Sequence, residues 1–256
     1  MAHPAVFAHR GFAGVFPENT VAAVRGAAEL GADAVEIDVQ PTADGDVVVF
    51  HDRRLDGADG DGLTDRSGVV WKQSTKTVTA ARVLDTRESV PLLSGVLTAV
   101  PDGVTVNIEL KNPGSDAIRP GESLSATGRR TAEERWRPFV ESVQSVVQGA
   151  GNDVLYSSFC EGALAALEAC GTDEQVAVLV APNCADAGVT FARRYDVDAI
   201  HPPVDHPGAS VLDVAEELDA DCNVWTVGDW QAARTARRAG ADGIIADYPG
   251  LDAYPE

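Results

Sequence analysis

Lysine is nearly missing from this chain of 256 residues, occurring only at Lys72, Lys76 and Lys111. Acidic side chains outnumber basic ones 40 to 20, which leaves a formal charge of −20. That balance argues against nucleic acid and anionic membrane as partners, because a phosphate backbone rewards the opposite sign. An acidic, lysine-poor surface also fits a halophilic protein, in which strong screening blunts self-repulsion. The four cysteines, Cys160, Cys170, Cys184 and Cys222, have no CxxC spacing and form no dense framework. A zinc knuckle and a disulfide scaffold are therefore not expected, and the cysteines read as buried or free thiols. No apolar run approaches the roughly 18 residues of a membrane span, so no stable membrane insertion is expected. The start MAHPAVFAHRGF lacks a basic region followed by an apolar core, and a cytoplasmic location is expected.

What is present is a regular alternation. Ala5-Val6-Phe7-Ala8 reads as a buried strand stopped at Gly11. Asn19-Thr20 reads as the cap of a helix carrying Val21, Val24, Ala27, Ala28 and Leu30 at helical spacing, closed by Gly31. Further strands are predicted at 34–39, 104–110, 154–157, 176–180, 199–201, 222–227 and 243–246, with an additional extended run at 47–50. Helices are predicted at 131–148, 161–169, 185–195, 209–218 and 230–239, with another restarting at Pro91. The stretch 53–90 is rich in Gly, Asp, Thr and Ser and reads as an inserted subdomain. A second irregular stretch covers 112–130.

Eight short apolar strands separated by helices predict one α/β domain over 1–256. The expected architecture is a single TIM (β/α)8 barrel with a small insertion after the second strand unit, at about 53–90. An open doubly wound sheet fits less well, because no GxGxxG follows the first strand.

In a barrel, the residues closing each strand face a common mouth. Here they are polar: His9 and Arg10, Glu36 and Asp38, His51 and Asp52, Glu109 and Lys111. Glu36 and Asp38 are two apart and share a strand face, as do Glu109 and Lys111. Three carboxylates converging in a low dielectric need a cation or protons, and a divalent cation, Mg²⁺ or Ca²⁺, suits an all-oxygen set. His9 and His51 suit proton transfer near neutral pH, while Arg10 and Lys111 suit a phosphate. Together these groups describe phosphodiester chemistry better than sugar hydrolysis. Taken one at a time they have plainer readings: Glu36 and Asp38 as an ordinary polar layer or an ion pair with Arg10, Lys111 as the neutraliser of Glu109.

His9-Arg10-Gly11, Pro17-Glu18-Asn19-Thr20, Glu36-Ile37-Asp38, His51-Asp52 and Glu109-Leu110-Lys111, in that order, resemble the glycerophosphodiester phosphodiesterase family. Compatible sequence continues through Ser158-Phe159, Trp225 and Asp247-Tyr248-Pro249. The resemblance implies a metal-dependent hydrolase that releases glycerol 3-phosphate and an alcohol. It implies that Glu36, Asp38 and Glu109 bind the cation, that His9 and His51 act as general base and general acid, and that Arg10 and Lys111 contact the phosphate. It further implies that segment 53–90 sits over the active site as a small subdomain. The partner is a small-molecule phosphodiester. Either water or a neighbouring glycerol hydroxyl serves as nucleophile.

Phe159 and Trp225 are candidates for packing the glycerol carbons, or plain core; Phe12 and Phe16 share that ambiguity. The 112–130 stretch is longer and more polar than the family's usual connection, and either shapes access or is disordered. His3, His201 and His206 fall outside the motifs, and His201 reads as structural. Two alternatives are a lipid phosphodiesterase of the phospholipase C or D type, which needs an apolar rim, and a non-catalytic phosphate-binding barrel.

Overall fold

The computed structural model describes residues 3–57, 62–205 and 209–253. His206 lies outside them. The barrel is formed by β1 (Ala5–Ala8), β2 (Ala34–Pro41), β4 (Thr105–Leu110), β5 (Val154–Ser158), β6 (Gln175–Leu179), β7 (Ala199–His201), β8 (Asp221–Val227) and β9 (Gly243–Ala246), all parallel. Because β1 pairs with both β2 and β9, the sheet closes. One further strand, β3 (Val47–Val49), pairs antiparallel to β2 and stands outside the closed ring. The expected TIM barrel with an insertion after its second unit is therefore what the chain forms.

Helices α1 (Val21–Glu29), α3 (Leu93–Ala99), α4 (Ala126–Gln148), α5 (Glu161–Cys170), α6 (Ala185–Tyr195), α7 (Ala209–Leu218) and α8 (Trp230–Arg238) cover the outside. Strand residues alternate between two apolar layers. One set packs outward under the helices, for example Val35, Ile37, Ile108 and Val178. The other set fills the barrel interior with Phe7, Ala34, Leu155, Ala177, Ala199 and Ile245. This period of two sends Glu36, Asp38 and Glu109 to the interior side while their neighbours hold the strands to the helices.

The inserted stretch has its own apolar cluster, in which Leu55, Val70, Val78, Ala81, Val83 and Val90 pack on Val48 and Phe50. It includes the short α2 (Thr75–Thr79), capped by the Ser74 side chain. The helix expected to restart at Pro91 begins two residues later, at Leu93.

The stretch expected to be irregular to residue 130 ends earlier. Ser125 caps α4 by accepting from the Gly128 N–H, and the helix begins at Ala126 instead of residue 131. The segment before it is ordered by polar ties. Asn112 Oδ1 accepts from the Gly114 and Ser115 N–H groups, Gly121 N–H donates to the Phe159 carbonyl, and Leu124 N–H donates to Glu161 at 2.6 Å. Glu161 is buried and also paired with Arg129 and Arg194. Asp116 bridges to Arg53 and Lys72 of the insert, and the Arg53 guanidinium lies 5.5 Å from the Trp71 ring centre. Two segments irregular in sequence thus meet at one edge of the mouth.

All four cysteines are free, with Cys160 and Cys222 buried. Among the described residues no helix is long and apolar enough to cross a membrane.

Candidate active site

The polar residues closing β1, β2, the β3 run and β4 come together in one cavity. It has a volume of about 90 Å³ and is lined by His9, Arg10, Glu36, His51, Glu109 and Lys111 on one side and by Phe159, Leu179, Trp225 and Ile245 on the other.

Parallel pairing sets the carboxylates. Asp38 is the register partner of Glu109, and Glu36 lies one repeat below Asp38 on the same face. The three are buried, and one oxygen from each lies within 4.8 Å of the others. Such an all-oxygen cluster has the chemistry to hold a hard divalent ion. Burial, then the charges of Asp38 and Glu109, push Glu36 well above the usual carboxylate range. Glu109 is pushed up by burial and by Asp38, against the opposing pull of Lys111. Asp38 goes the other way. Burial would raise it, but His51, Lys111, Arg10 and a hydrogen bond from Asn19 together hold it far down.

The plainer readings hold for Asp38 and Lys111, whereas Glu36 meets Arg10 only through the backbone N–H. Arg10 Nε stands 3.3 Å from Asp38, an ion pair without an aligned hydrogen bond, and its Nη1 donates to Glu18 at 3.0 Å. Lys111 Nζ is 2.8 Å from Glu109 and 3.5 Å from Asp38. Burial would depress both bases, yet the surrounding carboxylates raise them, so both stay charged.

The first loop is held in a demanding shape. Arg10, Gly11 and Phe12 have φ of 50°, 78° and 60°. Left-handed backbone costs a non-glycine residue about 1–2 kcal/mol. Gly11 is required, since a Cβ there would come within 2.7 Å of the Ala23 Cβ. The turn directs the Arg10 N–H at Glu36 with a 2.9 Å hydrogen bond. Asn19, also left-handed, donates to Asp38 Oδ2 and accepts from the Asp38 N–H, while Thr20 caps α1. The expected cap pair therefore splits into one helix cap and one clamp on the carboxylate.

Each imidazole has a carboxylate behind it. His9 Nδ1 is 2.7 Å from Asp247 at the end of β9, and His51 Nδ1 is 2.7 Å from Asp52. This leaves each Nε2 for chemistry in the cavity. Asp52 adjoins its histidine in sequence, but Asp247 is 238 residues from His9, and only the neighbouring Asp247-Tyr248-Pro249 motif marked it.

Phe159 and Trp225 meet edge to face at 5.3 Å, and Lys111 Nζ lies 5.8 Å from the Phe159 ring centre. Phe12 is fully buried in the main core, and the Phe16 ring packs against Gly26 of α1, so both are core residues. His201 is buried on the barrel floor, its ring edge-on to Phe7 and its Nε2 3.2 Å from Asn223. Burial pushes its pKa down to about 3, so it stays neutral. Three exposed apolar side chains, Val15, Trp230 and Tyr248, follow the ends of the neighbouring strands β1, β8 and β9.

Comparison with known proteins gives the family and the fold. Residues 9–251 match the glycerophosphoryl diester phosphodiesterase family. The uncharacterized protein YqiK of Bacillus subtilis is 32% identical, over 95% of each chain. A glycerophosphodiester phosphodiesterase of Bacillus altitudinis is 30% identical, over 95% of this chain and 94% of its own. Among solved structures, a phosphodiesterase of Oleispira antarctica in complex with the product sn-glycerol-3-phosphate superposes with a TM-score of 0.75. It shares 22% identity and the match covers 96% of this chain and 94% of that one. The chain thus belongs to the glycerophosphoryl diester phosphodiesterase family, whose reaction is the hydrolysis of glycerophosphodiesters.

Proposed function

We propose that the chain hydrolyses small glycerophosphodiesters to glycerol 3-phosphate and an alcohol with a divalent cation held by Glu36, Asp38 and Glu109. The observation that carries this reading is the pairing, in one cavity, of three buried carboxylates with two imidazoles that each rest on an aspartate. Whether Mg²⁺ or Ca²⁺ is bound, the ion would supply charge stabilisation at the phosphoryl oxygens.

The protein's own groups do the rest. Arg10 and Lys111 face the phosphate and offset the charge that grows on its oxygens. His9 takes the proton from the attacking oxygen as a phosphorus–oxygen bond forms. His51 gives a proton to the departing alcohol oxygen as the second phosphorus–oxygen bond breaks. Asp247 and Asp52 fix the orientation of each ring through its Nδ1. Phe159 and Trp225 pack the glycerol carbons. Residues 1–256 act as one unit, with 53–90 as a subdomain over one edge of the mouth.

A second substrate class is favoured by one observation, the arc of Val15, Trp230 and Tyr248 beside the mouth, which offers a lipid tail an apolar rim. The net charge of −20 opposes anionic bilayers, so small soluble diesters are the first choice. The same charge supports an adaptation to high salt, for which stability should rise with KCl beyond physiological concentration.

The test is incubation with glycerophosphocholine, glycerophosphoethanolamine, glycerophosphoglycerol and a lysophospholipid, with and without EDTA. Release of glycerol 3-phosphate that EDTA abolishes is expected from the first three. Release of monoacylglycerol or of lysophosphatidic acid from the lysophospholipid alone would turn the assignment to the lipid class. No release from any of them would favour a binding role.

A further inference from the structure

Beside the three carboxylates lie two polar side chains for which the hydrolytic reading has no use. Asn107 is fully buried, and neither its amide nitrogen nor its amide oxygen has a hydrogen-bond partner among the described residues. Ser157 is fully buried as well, with its Oγ likewise unpaired. Both line the active-site cavity.

Their placement follows from the strand register. Asn107 pairs with Glu36 across β2 and β4, and it lies one repeat below Glu109 on the same face. Ser157 pairs with Glu109 across β4 and β5. The two therefore extend the carboxylate cluster inward and sideways as a neutral polar border. Buried side-chain polar atoms are nearly always paired, so three unpaired atoms on two neighbouring residues point to a ligand. A water needs only about 10–15 Å³ and two to four polar partners. The cavity of about 90 Å³ has the room, and Asn107, Ser157 and the carboxylates offer the partners.

The neutral chemistry also selects among occupants. An anion here would face three carboxylates, and a side-chain amide or hydroxyl is a modest direct ligand beside a carboxylate. A water that turns its oxygen toward a cation still has two O–H groups to donate, and the unpaired Asn107 Oδ1 and Ser157 Oγ are placed to accept them. We infer that Asn107 and Ser157 seat an ordered water that touches the bound cation on its inner side, and that this seat favours Mg²⁺ over Ca²⁺. Mg²⁺ is small and keeps several of its waters, whereas Ca²⁺ accepts a variable set of six to eight direct oxygens. This inference rests on the reading of Glu36, Asp38 and Glu109 as the cation site.

The experiment is calorimetric titration of the metal-stripped protein with Mg²⁺ and with Ca²⁺, for the native chain, Asn107→Leu, Ser157→Ala and the double variant. Mg²⁺ affinity should fall by about 10–100-fold in Asn107→Leu, the usual range for groups that support metal ligands. Ca²⁺ affinity should change by less than about threefold. The melting temperature of the metal-stripped variants should hold or rise, because each change removes an unpaired buried polar group. Should Asn107→Leu fail to fold, Ser157→Ala carries the same comparison, with the same direction expected. Equal losses for both ions, or no loss for either, would overturn the water seat and leave the carboxylate site standing. Native protein that bound neither ion would overturn the carboxylate reading itself.

Discussion

The strands β1 to β4 and the strands β5 to β9 contribute opposite kinds of surface to one cavity. From the first group come His9, Arg10, Glu36, His51, Glu109 and Lys111; from the second come Phe159, Leu179, Trp225 and Ile245. Charge is gathered on neighbouring strands, where burial together with the charges of Asp38 and Glu109 drives Glu36 up, while His51, Lys111 and Arg10 overcome burial and hold Asp38 down within one cluster. The other wall has little to say about proton transfer and much to say about what fits. Asp247, reaching His9 from the end of β9, and Ser157 on β5 are the exceptions. The lesson is that reaction and selection are separable here, and changes on the two walls should register in different kinetic constants.

The largest effect should come from the charged wall. His9→Ala and His51→Ala should each lower kcat by about 10²–10⁴-fold in a steady-state assay of glycerol 3-phosphate release, the range for a lost general acid or base. A loss confined to KM would place the imidazoles outside the chemistry. Next should come Asp247→Asn, which keeps a side chain behind His9 but removes its charge. A fall in kcat of about tenfold, with KM nearly constant, is expected for a group acting through His9. If Asp247→Asn instead raised KM alone, the division between the walls would hold for Asp247 as well.

Phe159→Leu and Trp225→Leu should do the reverse, raising KM several-fold with kcat within about threefold of the native value. A collapse of kcat in either would erase the contrast. The smallest expected effect lies below both walls, at His201. Its pKa is depressed from the ordinary 6.5 to about 3 by burial, so the unfolded chain takes up a proton that the native one refuses. Stability contributed by neutral His201 is complete above about pH 6.5 and is lost as pH falls below it, by at most about 1.4 kcal/mol per unit. His201→Gln keeps an acceptor for Asn223 and cannot protonate. Urea denaturation between pH 7 and 4.5 should show a shallower decline for His201→Gln than for the native chain, and identical slopes would refute the assignment.

The charged wall was the more legible one in sequence, and for a geometric reason. Glu36 with Asp38 and Glu109 with Lys111 share faces because strand side chains repeat every two residues, so local spacing alone brings them to the mouth. The eight strands were visible as short apolar runs between turn residues. The start of α4 at Ala126 was not, because Ala126-Thr127-Gly128 carries weak helical signal. There the decision rests on the Ser125 cap and on packing against α5, where Gly162 meets Ala132 and Trp136. Asp247 behind His9 depends on closure of the ring between β1 and β9, and Asn19 on Asp38 and the ties of Gly121 and Leu124 to Phe159 and Glu161 depend on packing between elements, which no local window contains. The pairing of Asn107 with Glu36 belongs to the same class, since it needs the register between β2 and β4.

The left-handed run at Arg10, Gly11 and Phe12 has a consequence in time. Its strain is absorbed when the chain folds, because the buried Phe12 ring and the close contact of Gly11 with Ala23 leave that loop no looser arrangement. A substrate therefore meets a loop that has already finished moving. In rapid mixing, occupancy of this site should rise in a single phase whose rate climbs with substrate concentration, without a slower step that concentration leaves unchanged.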